Sequence, residues 1–114
     1  MIVTVRDHIS LLKLKEMAIS GFGNLVKGVV DVENHVVVLG GDLHADEEAE
    51  LIKQGSKQQN LWGINIYPDL PYPDRIEFDS MINVRPQEGN TTRSVDDLKK
   101  QKRIMSIMKS MITE

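Results

Sequence analysis

The chain has 114 residues, 40% of them apolar, with 14 Lys and Arg against 17 Asp and Glu for a net charge of −3. That is the size of one ordinary domain (1–114), large enough to bury a core without disulfides or metal and too apolar to be a disordered tail. The lack of cysteine excludes thiolate catalysis, CxxC redox chemistry and cysteine-ligated zinc, and the balanced charge argues against a dedicated nucleic-acid binder.

Ile2 to Val5 is a short β-rich run and reads as the first strand. It leads directly into Arg6 and Asp7 with no long apolar stretch behind it, so no signal peptide is expected. The longest apolar run in the chain, Val36 to Leu39, is far shorter than the roughly 20 residues a bilayer span requires. The expectation is a cytoplasmic protein with no membrane partner. Ser10 is a good N-cap for a helix over Leu11 to Ser20, with Leu11, Leu14, Met17 and Ala18 at helical spacing and Gly21 and Gly23 as stop signals. Leu25 to Val32 and His35 to Leu39 are β-branched runs around Glu33-Asn34 and read as a hairpin with a two-residue connection.

Gly40-Gly41 ends that hairpin. Asp46 to Gln54 reads as a short helix with acidic residues at its positive end and Gly55 as its stop. Leu61 to Tyr67 is a fourth strand. A loop with Pro68, Pro71 and Pro73 follows, then a fifth strand over Arg75 to Val84, which alternates cleanly, then a loop over Pro86 to Arg93. Ser94-Val95-Asp96-Asp97 is an acidic capping-box variant. Beyond it Leu98, Ile104, Met105, Met108, Met111 and Ile112 share one arc of a helical wheel, with Ile107 just beside it and Lys99, Lys100, Lys102, Arg103 and Lys109 on the remainder. This predicts an amphipathic helix of about 18 residues. The order β-α-β-β-α-β-β-α implies an α+β fold, a mostly antiparallel sheet of about five strands covered by three helices.

Alternate strand residues point to opposite faces. One face of the first hairpin holds Val26, Val30, Val32, Val37 and Leu39. The other holds Leu25, Val29, Val36 and Val38, interrupted by Lys27 and Asp31. Both faces are apolar enough to be buried, either by the chain's own helices or by a partner subunit, and a homo-oligomer, a dimer first, is the expectation. In the second hairpin Trp62, Ile64 and Ile66 face the core with Ile76, Phe78, Ile82 and Val84. The opposite face collects Asn65, Tyr67, Glu77, Asp79, Met81, Asn83 and Arg85. Asparagine is disfavoured in strands, so Asn65 and Asn83 ask for a reason. That face is either solvated or part of a polar ligand pocket.

Four segments could carry chemistry. His44 and Asp46 lie two apart behind Gly40-Gly41, at the start of a helix, and could serve as a base with its orienter; simple helix capping is the competing reading. Gly55 to Asn60 reads as a helix stop and a solvated connection. Arg85 and Arg93 flank a loop that ends at a helix N-terminus, a setting that suits a small anionic ligand. The basic run of the last helix reads as its wet side. His8 and His35 stand alone. No metal site and no cofactor motif is recognised.

Gly21-Phe22-Gly23, Val30 to Glu33, Leu43 to Asp46, Leu61-Trp62-Gly63-Ile64-Asn65-Ile66-Tyr67-Pro68 and Ser80-Met81-Ile82-Asn83-Val84-Arg85-Pro86, followed by Asn90, together resemble an uncharacterised family of short prokaryotic proteins, of about 110 residues, known as a domain of unknown function. The resemblance covers nearly the whole chain and implies a compact stand-alone protein, with no activity or catalytic residue to carry over. Its blocks contain Asn65, Asn83, His44, Asp46 and Arg85, which would converge if the fourth and fifth strands pair beside the helix near Asp46. Three functions remain open. The first is a binding or interaction protein acting as an oligomer through this polar pocket. The second is a hydrolase- or lyase-like enzyme using a His44–Asp46 pair on an anionic metabolite. The third is a nucleic-acid accessory protein using the basic face of the last helix.

Overall fold

A computed structural model describes residues 2–114; Met1 lies outside them. The elements are β1 (Val3–Val5), β2 (Ile9–Ser10), α1 (Leu11–Ser20), β3 (Val26–Asp31), β4 (Val36–Leu39), α2 (His44–Lys53), β5 (Leu61–Ile66), β6 (Ile76–Glu77), α3 (Leu98–Met111) and β7 (Ile112–Thr113). Five strands form one sheet in the order β1-β4-β3-β5-β6, antiparallel throughout. The α+β architecture expected from the strand and helix pattern is the one observed.

Local chemistry explains most boundaries. Ser10 Oγ accepts from the Lys13 N–H at 3.0 Å and starts α1, and the N–H groups of Gly21 and Gly23 close on the Ala18 carbonyl to end it. β3 and β4 pair Val30 with Val37 and Val29 with Val38, which sorts their valines onto two faces. On one, Val26, Val30, Val37, Leu39, Trp62, Ile64 and Ile66 are buried with Leu14 and Ala18 of α1 and Ile104, Ile107, Met108 and Met111 of α3. On the other, Val29, Val36, Val38 and Leu61 are buried with Leu51 of α2 and with Ile82. Each such side chain contributes roughly 1.5–3 kcal/mol on burial. The chain's own helices thus cover both faces of the hairpin.

Four details differ from the sequence reading. The β3–β4 connection has four residues, not two. Asp31 pairs with Val36, and His35 takes φ 55°, the left-handed conformation that Glu33-Asn34 alone would not supply. The buried Asp31 carboxylate holds this turn by accepting from Glu33 N, from Asn34 N and Nδ2, and from Ser56 Oγ. Burial raises its pKa, but these hydrogen bonds outweigh it and hold the carboxyl below its ordinary value.

The fifth strand is cut to Ile76–Glu77. From Ser80 onward the chain makes short 3-10 turns at Met81–Asn83 and Pro86–Glu88, and Ile82 joins the α2 side of the sheet instead of the Trp62 side. Ser80 starts the first turn by accepting from Ile82 N. Such local side-chain bonds compete with a ladder.

Helix α2 begins two residues earlier than expected, at His44, with Leu43 at the N-cap position and no side-chain cap. Helix α3 is shorter, 14 residues from an Asp97 cap. Its first residue, Leu98, is 68% exposed while Ile107 is buried. It stops because Ile112 and Thr113 turn into β7 and pair in parallel with Ile9 and Ser10.

Candidate functional site

The α2 side of the sheet is apolar at one end and polar at the other. The polar end is a row across three strands. Lys27 of β3 lies opposite Asn65 of β5, which lies opposite Glu77 of β6. Asn65 Nδ2 donates to Glu77 Oε1 at 2.9 Å and to the Asp79 carbonyl at 3.3 Å, and the Tyr67 hydroxyl donates to the same Glu77 oxygen at 3.0 Å. Arg93 reaches the rim through Asp79, Nε to Oδ1 at 2.7 Å. The Lys27 ammonium lies 4.9 Å from the centre of the Phe22 ring.

The first turns of α2 cover this row. His44 Nε2 donates to the Ile64 carbonyl at 2.9 Å, which places the neutral ring's proton on Nε2 and leaves Nδ1 as an acceptor. Burial holds the imidazole below its ordinary pKa and Lys27 adds to that, against the opposing pull of the Ile64 carbonyl and the Asn65 side chain. One position deeper, Glu47 is fully buried. Its Oε2 accepts from Gly41 N at 2.8 Å, and its Oε1 has no partner. Burial pushes this carboxyl up to about 9, against the Gly41 hydrogen bond and the Lys27 charge. The fit is close: a Cβ on Gly41 would meet Glu47 Cγ at 2.9 Å. Asn65 Oδ1 is a second buried oxygen without a partner.

His44, Asn65, Tyr67 and Arg93 therefore gather at one end of the sheet. Asp46 does not join them. It is exposed, and among the described residues no ion pair links His44 to any carboxylate. Neither His44 nor Asp46 caps the helix, since both lie inside its first turn. Asn83 and Arg85 lie in the turns after β6 and bond β5 further along its length. Asn83 is clamped onto the Gly63 backbone and donates to the Arg93 carbonyl at 2.9 Å. Arg85 donates to the carbonyls of Gln58 at 2.7 Å and Leu61 at 2.9 Å, with its guanidinium 4.0 Å from the Trp62 ring centre.

Asn90, buried, holds the loop that follows Arg85. Its Nδ2 serves the carbonyls of Asn83, Thr92 and Ser94, and its Oδ1 accepts from Asp96 N.

Sequence reasoning missed Lys27 and Glu47. Lys27 looked like an interruption of an apolar face, and Glu47 like a helix-start acid. Its spacing from Leu51, one turn on, was the signal that it points inward. Among the described residues no group of three or more His, Asp or Glu is arranged to hold a metal ion, and no helix is long and apolar enough to cross a membrane.

Residues 3–111 match a family described as protein of unknown function, DUF5674. The chain belongs to this family. No curated protein and no solved structure matches it. The DUF5674 match spans every element from β1 to α3, so the polar row, its α2 cover and the Asn83–Asn90 loop all lie within the family's extent.

Proposed function

We propose that the protein is a small binding module whose ligand site is the polar end of the sheet beneath the first turn of α2, built from Lys27, His44, Asn65 and Tyr67. One observation carries this reading: of the six buried side-chain atoms without partners among the described residues, two, Asn65 Oδ1 and Glu47 Oε1, belong to residues joined through Lys27, which lies opposite Asn65 and acts on the Glu47 carboxyl. Buried polar groups are almost always satisfied, and exceptions cluster where a ligand, ion or water completes the set. Lys27 acts on both His44 and Glu47, so these groups share one electrostatic environment.

At neutral pH the site offers a cation on Lys27 and acceptors on His44 Nδ1, Asn65 Oδ1 and the Tyr67 hydroxyl oxygen, whose proton is held by Glu77. At the rim Arg93 offsets Asp79, and Glu77 leaves one negative charge that the Asn65 and Tyr67 donors bind. The ligand class that fits is a small polar molecule with an anionic group for Lys27 and a hydrogen-bond donor for Asn65. Asn83 and Arg85 serve the site by fixing the strand beneath it. The enzyme alternative with a His44–Asp46 pair gains no support, because the two side chains are not paired.

The reading includes self-association in the cytoplasm. With both sheet faces covered internally, the apolar surface for it is the outer side of α1, where Leu12 and Ile19 are 68% and 77% exposed and stand seven residues apart on one face.

The test is a thermal-shift panel of small carboxylated and phosphorylated metabolites on wild type, His44→Ala and Asn65→Ala. A ligand at about 100 times its Kd adds roughly 2.7 kcal/mol, which moves the Tm of a domain this size by several degrees. A shift in wild type that is lost in both variants supports the site. A panel that leaves wild type unmoved sinks it.

A further inference from the structure

The net charge of −3 conceals a separation of charge. Helix α3 carries Lys99, Lys100, Lys102, Arg103 and Lys109 and no acidic residue. It is therefore +5, and the rest of the chain is −8. Its inward side is apolar, with Ile104, Ile107, Met108 and Met111 buried. Its outward side is one stripe: Lys99, Lys102, Ser106 and Lys109 follow each other at helical spacing, flanked by Arg103 and Ser110, and all six are exposed. From Lys99 to Lys109 the stripe runs about 15 Å at 1.5 Å per residue.

An ordinary solvated face mixes signs, above all in a chain with more acids than bases. Here the ion pairs among the described residues are Lys15–Asp69, Arg75–Glu114, Arg85–Glu88 and Arg93–Asp79, and none involves α3. Lys102, Met105, Ser106, Lys109 and Ser110 also line an open depression of about 570 Å³ on this side. The stripe is thus without an ion-pair partner, open to solvent and furnished with hydroxyls.

We propose that the outward side of α3 docks the phosphate backbone of a double-stranded nucleic acid. The stripe has the chemistry that backbone recognition uses, cations and small hydroxyl donors in a line. It presents no exposed aromatic in that line to stack on single-stranded bases. The binding is electrostatic and independent of sequence. The acidic remainder of the chain limits the contact to this one side.

The test is fluorescence anisotropy of labelled mixed-sequence duplexes of about 20 bp, DNA and RNA in separate arms, titrated with the full chain at several salt concentrations. Neutralising about four phosphates gives a log–log salt slope near −3.6, or roughly a 150-fold loss between about 50 and 200 mM salt. Lys99→Ala, Lys102→Ala and Lys109→Ala should each reduce the slope by about 1. The triple Glu variant at these positions should lose binding by at least about 100-fold at low salt.

Lys53→Glu and Lys57→Glu, off the stripe, should bind about as wild type does, and all variants should melt as wild type does. The proposal is overturned if wild type leaves both duplexes unbound at low salt. It is equally overturned if the triple variant binds like wild type. Loss of self-association in sedimentation by the triple variant, with duplex binding intact, would assign the stripe to a second copy instead.

Discussion

The side chain of Asn83 exchanges two hydrogen bonds with the backbone of Gly63. Gly63 N–H donates to Oδ1 at 2.8 Å, and Nδ2 donates to the Gly63 carbonyl at 3.0 Å. This is the exchange a neighbouring strand would make, performed by one amide where β6 has already ended. Arg85 continues it at the Leu61 carbonyl. The open side of β5 is therefore closed by side chains, which removes an unpaired edge.

Replacing Asn83 with Ala leaves the Gly63 N–H, the Gly63 carbonyl and part of the Arg93 carbonyl's bonding unmet in a buried place. Each unsatisfied group costs about 1–3 kcal/mol, so Asn83→Ala should lose roughly 3 kcal/mol or more in a urea melt. Asn83→Asp keeps only the acceptor for Gly63 N–H and should not restore stability at neutral pH. Full stability in either variant would show that water replaces the amide.

Gly63 has no room for a side chain, because a Cβ there would lie 2.5 Å from Ser80 Cβ and 2.6 Å from Ser80 Oγ. Gly63→Ala should cost about 1–3 kcal/mol by overpacking. Combining it with Ser80→Gly should recover part of that loss, a coupling that a double-mutant cycle measures.

Glu47 gives the fold a defined pH dependence. Its carboxyl moves from 4.5 in an ordinary setting to about 9 in the fold. Between those values the folded chain holds a proton that the unfolded chain has released. Its contribution is therefore unpenalised below about pH 4.5, falls as pH rises, and levels off above about pH 9. By pH 7 the penalty is on the order of 3 kcal/mol. Glu47→Gln keeps the acceptor for Gly41 N–H and removes the ionisation. Urea melts should find it more stable than wild type at about pH 8 and equal to it at about pH 4.5. An equal pH dependence for both proteins would show that another group sets the slope.

Self-association through α1 has a direct check. Leu12→Glu with Ile19→Glu adds like charge to a side chain pair that the monomer does not bury. Sedimentation velocity should show wild type heavier than one chain at micromolar concentration and the double variant at monomer mass. A wild type that stays monomeric throughout the concentration range removes self-association from the reading.

Much of the fold is local chemistry and so is visible in the chain. The bounds of α1 follow from Ser10 and the glycines after Ser20, and the two faces of the first hairpin follow from period two alone. What could not be read depends on distant partners. Ile112 looked like the end of a helical stripe, because nothing near it in sequence reveals its pairing with Ile9. Ser80 to Arg85 alternates like a strand, but Ser80, Asn83 and Arg85 bond backbone groups themselves, so the same pattern describes a strand substitute. At the site, Asn65 was visible as a polar residue out of place. Glu77 was already legible on its face, but Lys27 became its neighbour only once the register of β3 against β5 was known.

Arg85 lets the one tryptophan of the chain report on this edge. Its guanidinium lies over Trp62 at 4.0 Å and its NH1 and NH2 reach two carbonyls in different directions. Lysine keeps the charge but not the planar fork, so it can neither stack in the same way nor hold both carbonyls. Arg85→Lys should therefore lose about 2 kcal/mol, since hydrogen bonds from a charged donor are worth roughly 1.5–3 kcal/mol. Trp62 emission should change in the native state, before any unfolding, because the group stacked on its ring has gone. Unchanged native emission together with unchanged stability would mean that the charge alone, and not the guanidinium's shape, holds the start of β5 in place.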